Sequence, residues 1–178
     1  MRVQRFGEHR AMPWANGLGT SYEVASDRNV DGVWTWRVAI APVVLDGPFS
    51  VMPGVDRELV VIEGNGMVLN IDDESVKCMP GQVVRFSGDS VTSARLVDGP
   101  AVDLGLMTVR GSVTGSMVVV VDGCDVTDSN VLVAIGDAVV EDEHGRQYRL
   151  GNKDALIEGR GHQLVLLSGT AIAFQVKS

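Results

Sequence analysis

Short blocks of apolar residues, each followed by a turn, run along most of the chain. Residues 34–40 alternate strictly, so that tryptophan and aliphatic side chains share one face of a strand and Arg37 lies on the other. Two further apolar runs, Leu59–Ile62 and Met67–Ile71, flank the pair Asn65-Gly66. An Asn-Gly pair between apolar runs is a strong hairpin signal, because both residues tolerate positive φ. The pattern therefore predicts strands joined by tight turns.

The second half of the chain repeats this layout with little identity to the first. Apolar runs at Met117–Val121 and Val131–Ile135 each precede a turn with glycine, and Leu164–Leu167 and Ala171–Phe174 close the chain. Many short strands at spacings of roughly 8–12 residues are typical of a sandwich or barrel. We therefore predict two similar β units, residues 1–110 and 111–178, that form one compact structural domain.

Composition supports an all-β fold. The 178 residues include 31 valines and 21 glycines, and the longest stretch without Gly or Pro is the 13 residues Met67–Met79. Valine favours strands and frequent glycine interrupts helices, so long helices are not expected.

Charge and hydropathy exclude several classes of function. A net charge of −8 and a pI of about 4.8 provide no basic field for nucleic acid. No apolar run approaches the roughly 20 residues of a membrane span, and the polar segment Met1–Arg10 is unlike a signal peptide. Cys78 and Cys124 lie far apart, as expected of free thiols in a reducing compartment. We expect a cytoplasmic protein that binds neither nucleic acid nor membranes.

The sequence contains no motif for a metal, a cofactor or an activated nucleophile. His9, His144 and His162 are widely separated, and neither His-x-His nor HExxH occurs. There is no GxSxG, and the glycines at 64 and 66 lie between apolar runs rather than before a helix. We predict a chain without a metal site and without a cofactor.

Polar residues concentrate where packing alone would not require them. The segment Met12–Glu23 combines an aromatic ring, an amide, glycines, hydroxyls and a carboxylate, and Asp46–Arg57 combines tight turns with Ser50 and Arg57. Glycines let the backbone approach a ligand closely, and polar groups can orient it. Arg37 inside a barrel would be a bidentate anchor for a carboxylate. A capping loop is an equal alternative for the first segment, and a scaffold loop is the favoured interpretation of the second.

Several ordered motifs together resemble the HutD/Ves family. They are Trp14–Thr20, Trp36-Arg37, Asp46–Ser50, Pro53–Arg57, Glu63–Gly66 and Gly99–Leu104. The resemblance covers about residues 12–110 and implies a cupin fold, namely a bicupin of two double-stranded β-helix units. The segment Glu58–Phe86 is also similar to a generic cupin core, although it lacks the histidines of the usual cupin metal motif.

The resemblance also implies a site and a role. Members of the family are associated with histidine utilisation, and it has been proposed that they bind a pathway intermediate and moderate the pathway. The matching motif positions give seven candidate ligand-binding residues: Trp14, Asn16, Thr20, Arg37, Ser50, Arg57 and Asp103. Arg37 or Arg57 would anchor a carboxylate against a wall formed by Trp14. The side chains of Asn16 and Thr20 would donate or accept hydrogen bonds.

This chain departs from the family pattern at three positions. The family usually has Lys in place of Ala15, Gly in place of Leu18, and Asn in place of Gly105. Loss of a cation and of an amide would change or weaken ligand preference, because a polar group of this kind contributes on the order of 1–3 kcal/mol.

Three functions remain open, ranked in this order. The first is a metal-free cupin that binds a small organic acid, such as an intermediate of histidine degradation, without converting it. The second is a metal-independent isomerase or lyase that uses Glu63, Asp103 or a histidine as its base. The third is an interaction module that only presents a surface. A homodimer is an assembly compatible with all three.

Overall fold

The computed structural model describes residues 1–14, 17–157 and 161–177. These residues are mostly β-strand, with a short 3-10 turn at Phe6–Glu8, and this confirms the all-β fold class. In this part of the chain, no helix combines the length and the hydropathy that a bilayer span requires.

The strands of the described residues are numbered in chain order. They are β1 (Arg2–Gln4), β2 (Arg10–Pro13), β3 (Thr20–Arg28), β4 (Trp34–Val43), β5 (Gly47–Pro48), β6 (Val55–Glu63), β7 (Met67–Ile71), β8 (Glu74–Cys78), β9 (Val83–Ser87), β10 (Thr92–Leu96), β11 (Ala101–Val109), β12 (Thr114–Val121), β13 (Val131–Asp142), β14 (Gln147–Leu150), β15 (Ala155–Ile157) and β16 (Leu164–Lys177).

The chain divides into two compact units. One is Arg10–Thr114, and the other combines Met1–His9 with Gly115–Lys177. The sequence pattern predicts a boundary near residue 110, and the observed boundary at residue 114 is close to it. The main difference is that the first nine residues belong to the unit formed by the C-terminal part of the chain. They belong with the C-terminal part because β1 pairs antiparallel with β15, with Val3 opposite Leu156. A three-residue strand carries no local signal for a partner so distant in sequence.

The unit Arg10–Thr114 consists of two antiparallel sheets. The strand order is β2-β3-β4-β11-β6-β9 in one sheet and β5-β10-β7-β8 in the other. Their core includes Leu59 and Val61 from β6 together with Leu69 from β7 and Ala94 from β10, all less than 5% exposed. Apolar side chains from both sheets therefore hold this unit together.

The predicted hairpin at Asn65-Gly66 is wrong. The strands on either side, β6 and β7, belong to different sheets, so this segment is a corner between sheets. Gly64 and Gly66 both have positive φ, and a Cβ on Gly64 would collide with the carbonyl oxygen of Pro100. The tight hairpin lies one step later, where Asp72 at φ 51° helps to join β7 to β8.

The second unit is built around the long strands β13 and β16. Their antiparallel register shifts between Ile135 and Val139, where Gly136 adopts a φ of 79°. Such irregularities bend long strands, which lets a sheet curl over its own core. Leu132, Leu164 and Leu166 are among the fully buried side chains of that core.

Candidate functional site

A cavity of about 240 Å³ lies within the unit Arg10–Thr114. Five of the seven candidate residues form part of its wall: Trp14, Arg37, Ser50, Arg57 and Asp103. Thr20 instead lines a neighbouring hollow, and Asn16 lies outside the described residues, as does Ala15. The structure therefore brings both arginines and the aspartate to the wall of one partly open cavity.

Strand register explains why the two arginines face the same way. Met107 on β11 lies opposite Arg37 on β4 and opposite Arg57 on β6. Directly opposed residues of neighbouring antiparallel strands project from the same face of a sheet. The two guanidinium groups consequently stand on one face of the sheet, with the Met107 side chain between them.

The space beside the arginines exists because two residues in the next row of the sheet are glycine and alanine. Gly105 on β11 lies between Ala39 on β4 and Leu59 on β6. The following row places Asp103 opposite Val61, at a shift in the β11–β6 register. A shift of this kind re-aims side chains and is common beside binding sites. Here it occurs where Asp103 enters the cavity wall.

Arg57 is held in a mainly aromatic environment. Its Nη1 donates a hydrogen bond to the carbonyl oxygen of Ser50 at 3.2 Å. Its guanidinium carbon lies 5.1 Å from the ring centroid of Phe49 and 5.0 Å from that of Phe86. Burial lowers the pKa of Arg57 below its ordinary value, while the charge of Asp103 raises it and that of Arg37 lowers it further. These contacts fix the position of a guanidinium that has further donors available.

Arg37 has few polar partners for a half-buried cation. Its Nη2 lies 3.3 Å from the sulfur of Met107, and its guanidinium carbon lies 5.2 Å from the ring centroid of Trp34. Within the described residues, its buried Nε has no hydrogen-bond partner. Burial lowers the pKa of Arg37, partly opposed by the charge of Glu23. Arg37 therefore contributes a partly buried cation to the cavity wall.

Asp103 is a buried carboxyl group in the same wall. It is 7% exposed, and burial raises its pKa from 3.8 to about 7, against the opposing charge of Arg57. Among the ion pairs that the described residues form, none joins Asp103 to either arginine. At neutral pH this group can therefore either donate or accept a hydrogen bond.

Trp14 is positioned by the glycine-containing turn that follows it. Its backbone N–H donates to the carbonyl oxygen of Gly19 at 2.8 Å, and its own carbonyl accepts the N–H of Gly17 at 2.9 Å. A Cβ on Gly19 would lie 2.8–2.9 Å from three carbons of the indole ring. The ring therefore lies directly on the Gly19 backbone, and a larger residue at this position would have to displace the ring.

The histidines stay apart from the cavity. His9 is buried in the other unit, and His144 and His162 lie there too, with ring nitrogens 3.8 and 3.3 Å from Oε1 of Glu143. Across the described residues, no three or more His, Cys, Asp or Glu side chains form a group that could hold a metal ion.

Sequence reasoning missed the residues that shape the cavity. Met107 is not among the predicted site residues, and Gly105 enters the sequence analysis only as a departure from the family pattern, yet both line the cavity and Met107 lies between the two arginines. Alternation along β11 could have found them, because Asp103, Gly105 and Met107 occupy every second position and share a face. Phe49, whose ring forms part of the wall, lies within the motif Asp46–Ser50 that resembles the family.

Residues 7–174 match the family model described as HutD. An uncharacterised 21.2 kDa protein from the hutC 3' region of Pseudomonas putida is 34% identical over 110 residues, which cover 60% of this chain and 57% of that protein. Protein Ves of Citrobacter koseri is 34% identical over 106 residues, covering 57% of this chain and 56% of Ves. The match thus spans just over half the length of these curated relatives.

Solved structures match over nearly the whole chain. A conserved protein of unknown function from Pseudomonas aeruginosa has a TM-score of 0.85 at 28% identity and covers 99% of this chain and 98% of its own. HutD from Pseudomonas fluorescens has a TM-score of 0.82 at 26% identity and covers 99% of both chains. A cupin 2 conserved barrel domain protein from Leptotrichia buccalis, at 10% identity, covers 99% of this chain and 96% of its own with a TM-score of 0.61, and this likeness concerns the fold alone.

These similarities agree with the motifs that surround the cavity. Segments Trp36-Arg37, Asp46–Ser50 and Pro53–Arg57, which suggested the family from sequence, supply the arginines and the aromatic wall. The cupin fold that the resemblance implied is confirmed by the structural neighbours. With a family model that spans residues 7–174, the chain belongs to the HutD family.

Proposed function

We propose that this chain binds a small organic carboxylate in the cavity of the unit Arg10–Thr114. The observation that carries the proposal is the pair of guanidinium groups, Arg37 and Arg57, on one wall of a partly open cavity. Two partly buried cations and one buried carboxyl group whose pKa is about 7 line the same cavity. Glu58 also lines the cavity, but its carboxylate pairs with Arg85 at 2.8 Å, so the two guanidinium groups give the wall a partly positive charge that an anionic ligand would compensate.

The geometry suits a carboxylate better than a simple halide ion. A guanidinium presents parallel N–H groups that match the two oxygens of a carboxylate, and such charge-assisted bonds are about twice as strong as neutral ones. The Nη1 of Arg57 is already used by Ser50, which leaves the other N–H groups for the ligand. The rings of Trp14 and Phe49 would cover a flat or apolar ligand body.

Asp103 adds a second point of recognition. Lying on the same wall two rows from the arginines, it can accept a hydrogen bond from a ligand N–H or O–H, or donate one when protonated. A ligand with a carboxylate at one end and such a group at the other would use both. Imidazole acrylates and N-acylated amino acids have this chemistry.

Histidine utilisation is the biological setting that we propose. Two relatives carry names from that context: HutD of P. fluorescens, whose structure was solved in a formate condition, and the P. putida protein from the hutC 3' region. Urocanate, N-formylglutamate and formate are carboxylates of suitable size. The names of these relatives support a role in histidine utilisation, and the two arginines in the cavity wall support a carboxylate as the ligand.

Calorimetric titration with these acids tests the proposal. We expect saturable binding of at least one of urocanate, N-formylglutamate and formate at pH 7, and loss of binding when its carboxylate is converted to the primary amide. The amide keeps the shape and removes the charge that Arg37 and Arg57 would bind. Equal binding of acid and amide, or no binding of any acid, would refute the proposal.

Asp103 also supports a second candidate function, that of a metal-independent isomerase or lyase. A carboxyl group with a pKa of about 7 in a cavity is suited to general acid–base catalysis. Glu63, the other proposed carboxylate base, ends β6 and is absent from the cavity wall. NMR spectra of the same mixtures over several hours distinguish the two functions, because a binder returns its ligand unchanged and an enzyme produces new resonances.

A substitution that fills the cavity should abolish ligand binding without unfolding the protein. A Cβ on Gly105 would meet its nearest neighbour, the carbonyl oxygen of Glu58, at 3.6 Å, which is an ordinary contact. We expect Gly105→Leu to fold with unchanged or slightly higher stability, because a strand glycine costs about 0.5–1 kcal/mol in conformational entropy. Its side chain should occupy the ligand space and abolish carboxylate binding in calorimetry.

Gly105→Ala is the matched control, since it adds one methyl group and should leave most of the cavity open. Retained binding in Gly105→Leu, with a urea midpoint like that of the wild type, would place the ligand elsewhere.

A further inference from the structure

Two polar side chains at one end of the cavity have unused hydrogen-bonding capacity. Asp103 is 7% exposed, and its carboxyl group makes no hydrogen bond within the part of the chain that the structure describes. Ser21 is 8% exposed, and its hydroxyl donates one long hydrogen bond, 3.5 Å to the carbonyl oxygen of Met12. Both residues line the cavity. Because a buried polar group without a good partner is costly, this pair favours a ligand that supplies the partners.

Strand register places these two side chains on either side of one small residue. Asp103 on β11 lies opposite Ala41 on β4. On the other side of β4, Tyr22 lies opposite Ile40, so Ser21 on β3 is the neighbour of Ala41. The three residues form one row on one face of the sheet. The hydroxyl and the carboxyl group therefore flank a floor that is only a methyl group high.

This row is separate from the row that carries the arginines. Arg37 and Ala41 are four residues apart on the same face of β4, which corresponds to about 13 Å along the strand. Between the two rows lie Ala39 and Gly105, and Oδ1 of Asp103 is 4.0 Å from the position that a Cβ on Gly105 would occupy. The carboxyl group thus lies close to the glycine. A ligand that contacts both rows lies along the strands, with its carboxylate at the arginine end.

The two side chains offer complementary hydrogen-bonding groups. An ionised carboxyl group only accepts hydrogen bonds, whereas a hydroxyl can donate one. The N–H and C=O groups of a trans amide lie in one plane and point in opposite directions. An amide over Ala41 would direct its N–H to Asp103 on one side and its oxygen to Ser21 on the other. A saturated chain in the same place would leave both protein groups without partners.

We propose that Ser21 and Asp103 together select an acid that carries an acylated amine, so that the ligand class of this cavity is the N-acylated amino acids. This inference rests on the proposed function, in which the arginines bind the carboxylate of the ligand. Ser21 determines specificity by donating to the acyl oxygen, and Asp103 does so by accepting the amide N–H. The small residues Ala39, Ala41 and Gly105 leave room for the planar amide beside them.

Three acids of equal chain length test the two hydrogen bonds. N-acetyl-β-alanine has the amide, 5-oxohexanoate replaces its N–H with a methylene group, and hexanoate lacks the carbonyl oxygen as well. Burial raises the pKa of Asp103 to about 7, so calorimetric titrations at pH 8 keep this group mainly ionised. We expect N-acetyl-β-alanine to bind at least about tenfold more tightly than 5-oxohexanoate, because a buried acceptor for an N–H rejects a ligand that lacks it. Hexanoate should bind most weakly.

Two variants separate the contacts, and affinity ratios cancel any effect on the carboxylate. Ser21→Ala should lower the preference for 5-oxohexanoate over hexanoate by about threefold to tenfold. Asp103→Leu, which keeps a similar volume, should abolish the preference for N-acetyl-β-alanine over 5-oxohexanoate. Ser93→Ala is the matched control, because it removes a half-buried hydroxyl from β10 of the same unit, and Ser93 does not line the cavity. It should keep both preferences.

The outcomes distinguish this inference from the proposed function. Equal affinity for the three acids, or a variant that keeps the preference it should lose, would refute amide selection while the carboxylate site stands. The same holds if urocanate or formate binds and N-acetyl-β-alanine does not, or if 3-(imidazol-4-yl)propanoate binds more tightly than N-acetyl-β-alanine. If none of these acids binds, both proposals are refuted. Preferences that are lost in Ser21→Ala and Asp103→Leu and kept in Ser93→Ala support the inference.

Discussion

Asp103→Asn should raise the free energy of unfolding of the ligand-free protein at pH 8 by on the order of 3 kcal/mol. A substitution in a candidate binding site would thereby stabilise the fold. The physical reason is that Asp103 is 7% exposed and burial raises its pKa to about 7. Above that pH the folded protein carries a buried carboxylate that water would solvate better in the unfolded chain. Asparagine keeps the shape without the charge.

The sign follows from proton binding. Between the unfolded pKa of 3.8 and the folded pKa of about 7, the folded state holds a proton on Asp103 that the unfolded state has released. The contribution of Asp103 to the free energy of unfolding is therefore greatest below pH 3.8. It falls as the pH rises to about 7 and stays low at higher pH. The gain from Asp103→Asn should be small at pH 4.5 and should grow until pH 7–8.

Urea unfolding at pH 4.5, 6, 7 and 8 and constant ionic strength measures this profile. Asp89→Asn is a control of opposite sign, because hydrogen bonds from Gly54, Arg110 and Ser87 lower the pKa of Asp89 to about 2. Both its folded pKa and its ordinary value of 3.8 lie below pH 4.5, so replacing Asp89 should weaken the fold by a similar amount at all four pH values. If the effect of Asp103→Asn does not change between pH 4.5 and pH 8, the raised pKa is wrong.

Strand positions were largely predictable because they depend on local periodicity. The alternating residues 34–40 lie within β4, and Val38 and Ile40 are buried as expected. The alternating pattern predicts that Arg37 and Trp34 lie on opposite faces of the strand. This is wrong, because the Arg37 guanidinium lies over the Trp34 ring. The β3–β4 register shifts at this end, with Asp27 opposite Trp36. One extra residue in a strand reverses the faces beyond it.

The site could be predicted only as far as its residues lie in recognisable motifs. Ser50 lies in the loop before β6 and Arg57 lies in β6 itself. Because the two residues are close in sequence, their contact could be predicted from the sequence. The meeting of Arg37, Met107 and Arg57 depends on the pairing of β4, β11 and β6, which is set by contacts distant in sequence. Thr20 was assigned by motif alone, and its strand places it on the hollow instead.

Arg57→Met should lower the affinity for a bound carboxylate by about a hundredfold or more. A charge-assisted hydrogen bond contributes about 1.5–3 kcal/mol, and a bidentate pair in a buried site approaches the upper part of that range or exceeds it. Methionine is of similar length and can keep apolar contact with Phe49 and Phe86, whose rings now flank the guanidinium. Titration calorimetry with the tightest-binding acid measures the loss.

Two other arginine substitutions show what kind of interaction is lost. Arg57→Lys keeps the charge without the planar fork, so we expect an intermediate loss of about tenfold. Arg95→Met removes an exposed arginine of β10 that does not line the cavity, and it should leave binding unchanged. A loss shared by all three variants would indicate general electrostatic attraction rather than a contact in the cavity.

Arg57→Met should also change how binding and stability respond to pH. The charge of Arg57 opposes the upward shift in the pKa of Asp103, so its removal should raise that pKa above 7. Replacing a buried cation with an apolar side chain is often neutral or stabilising, and the variant should therefore remain folded while losing its ligand. A thermal transition like that of the wild type, together with a stability profile that keeps falling to higher pH, would show that the arginine and the aspartate act as one coupled pair. An unchanged pH dependence of stability would mean that the charge of Arg57 does not affect the pKa of Asp103. The arginines would then bind the ligand carboxylate without a contribution from Asp103.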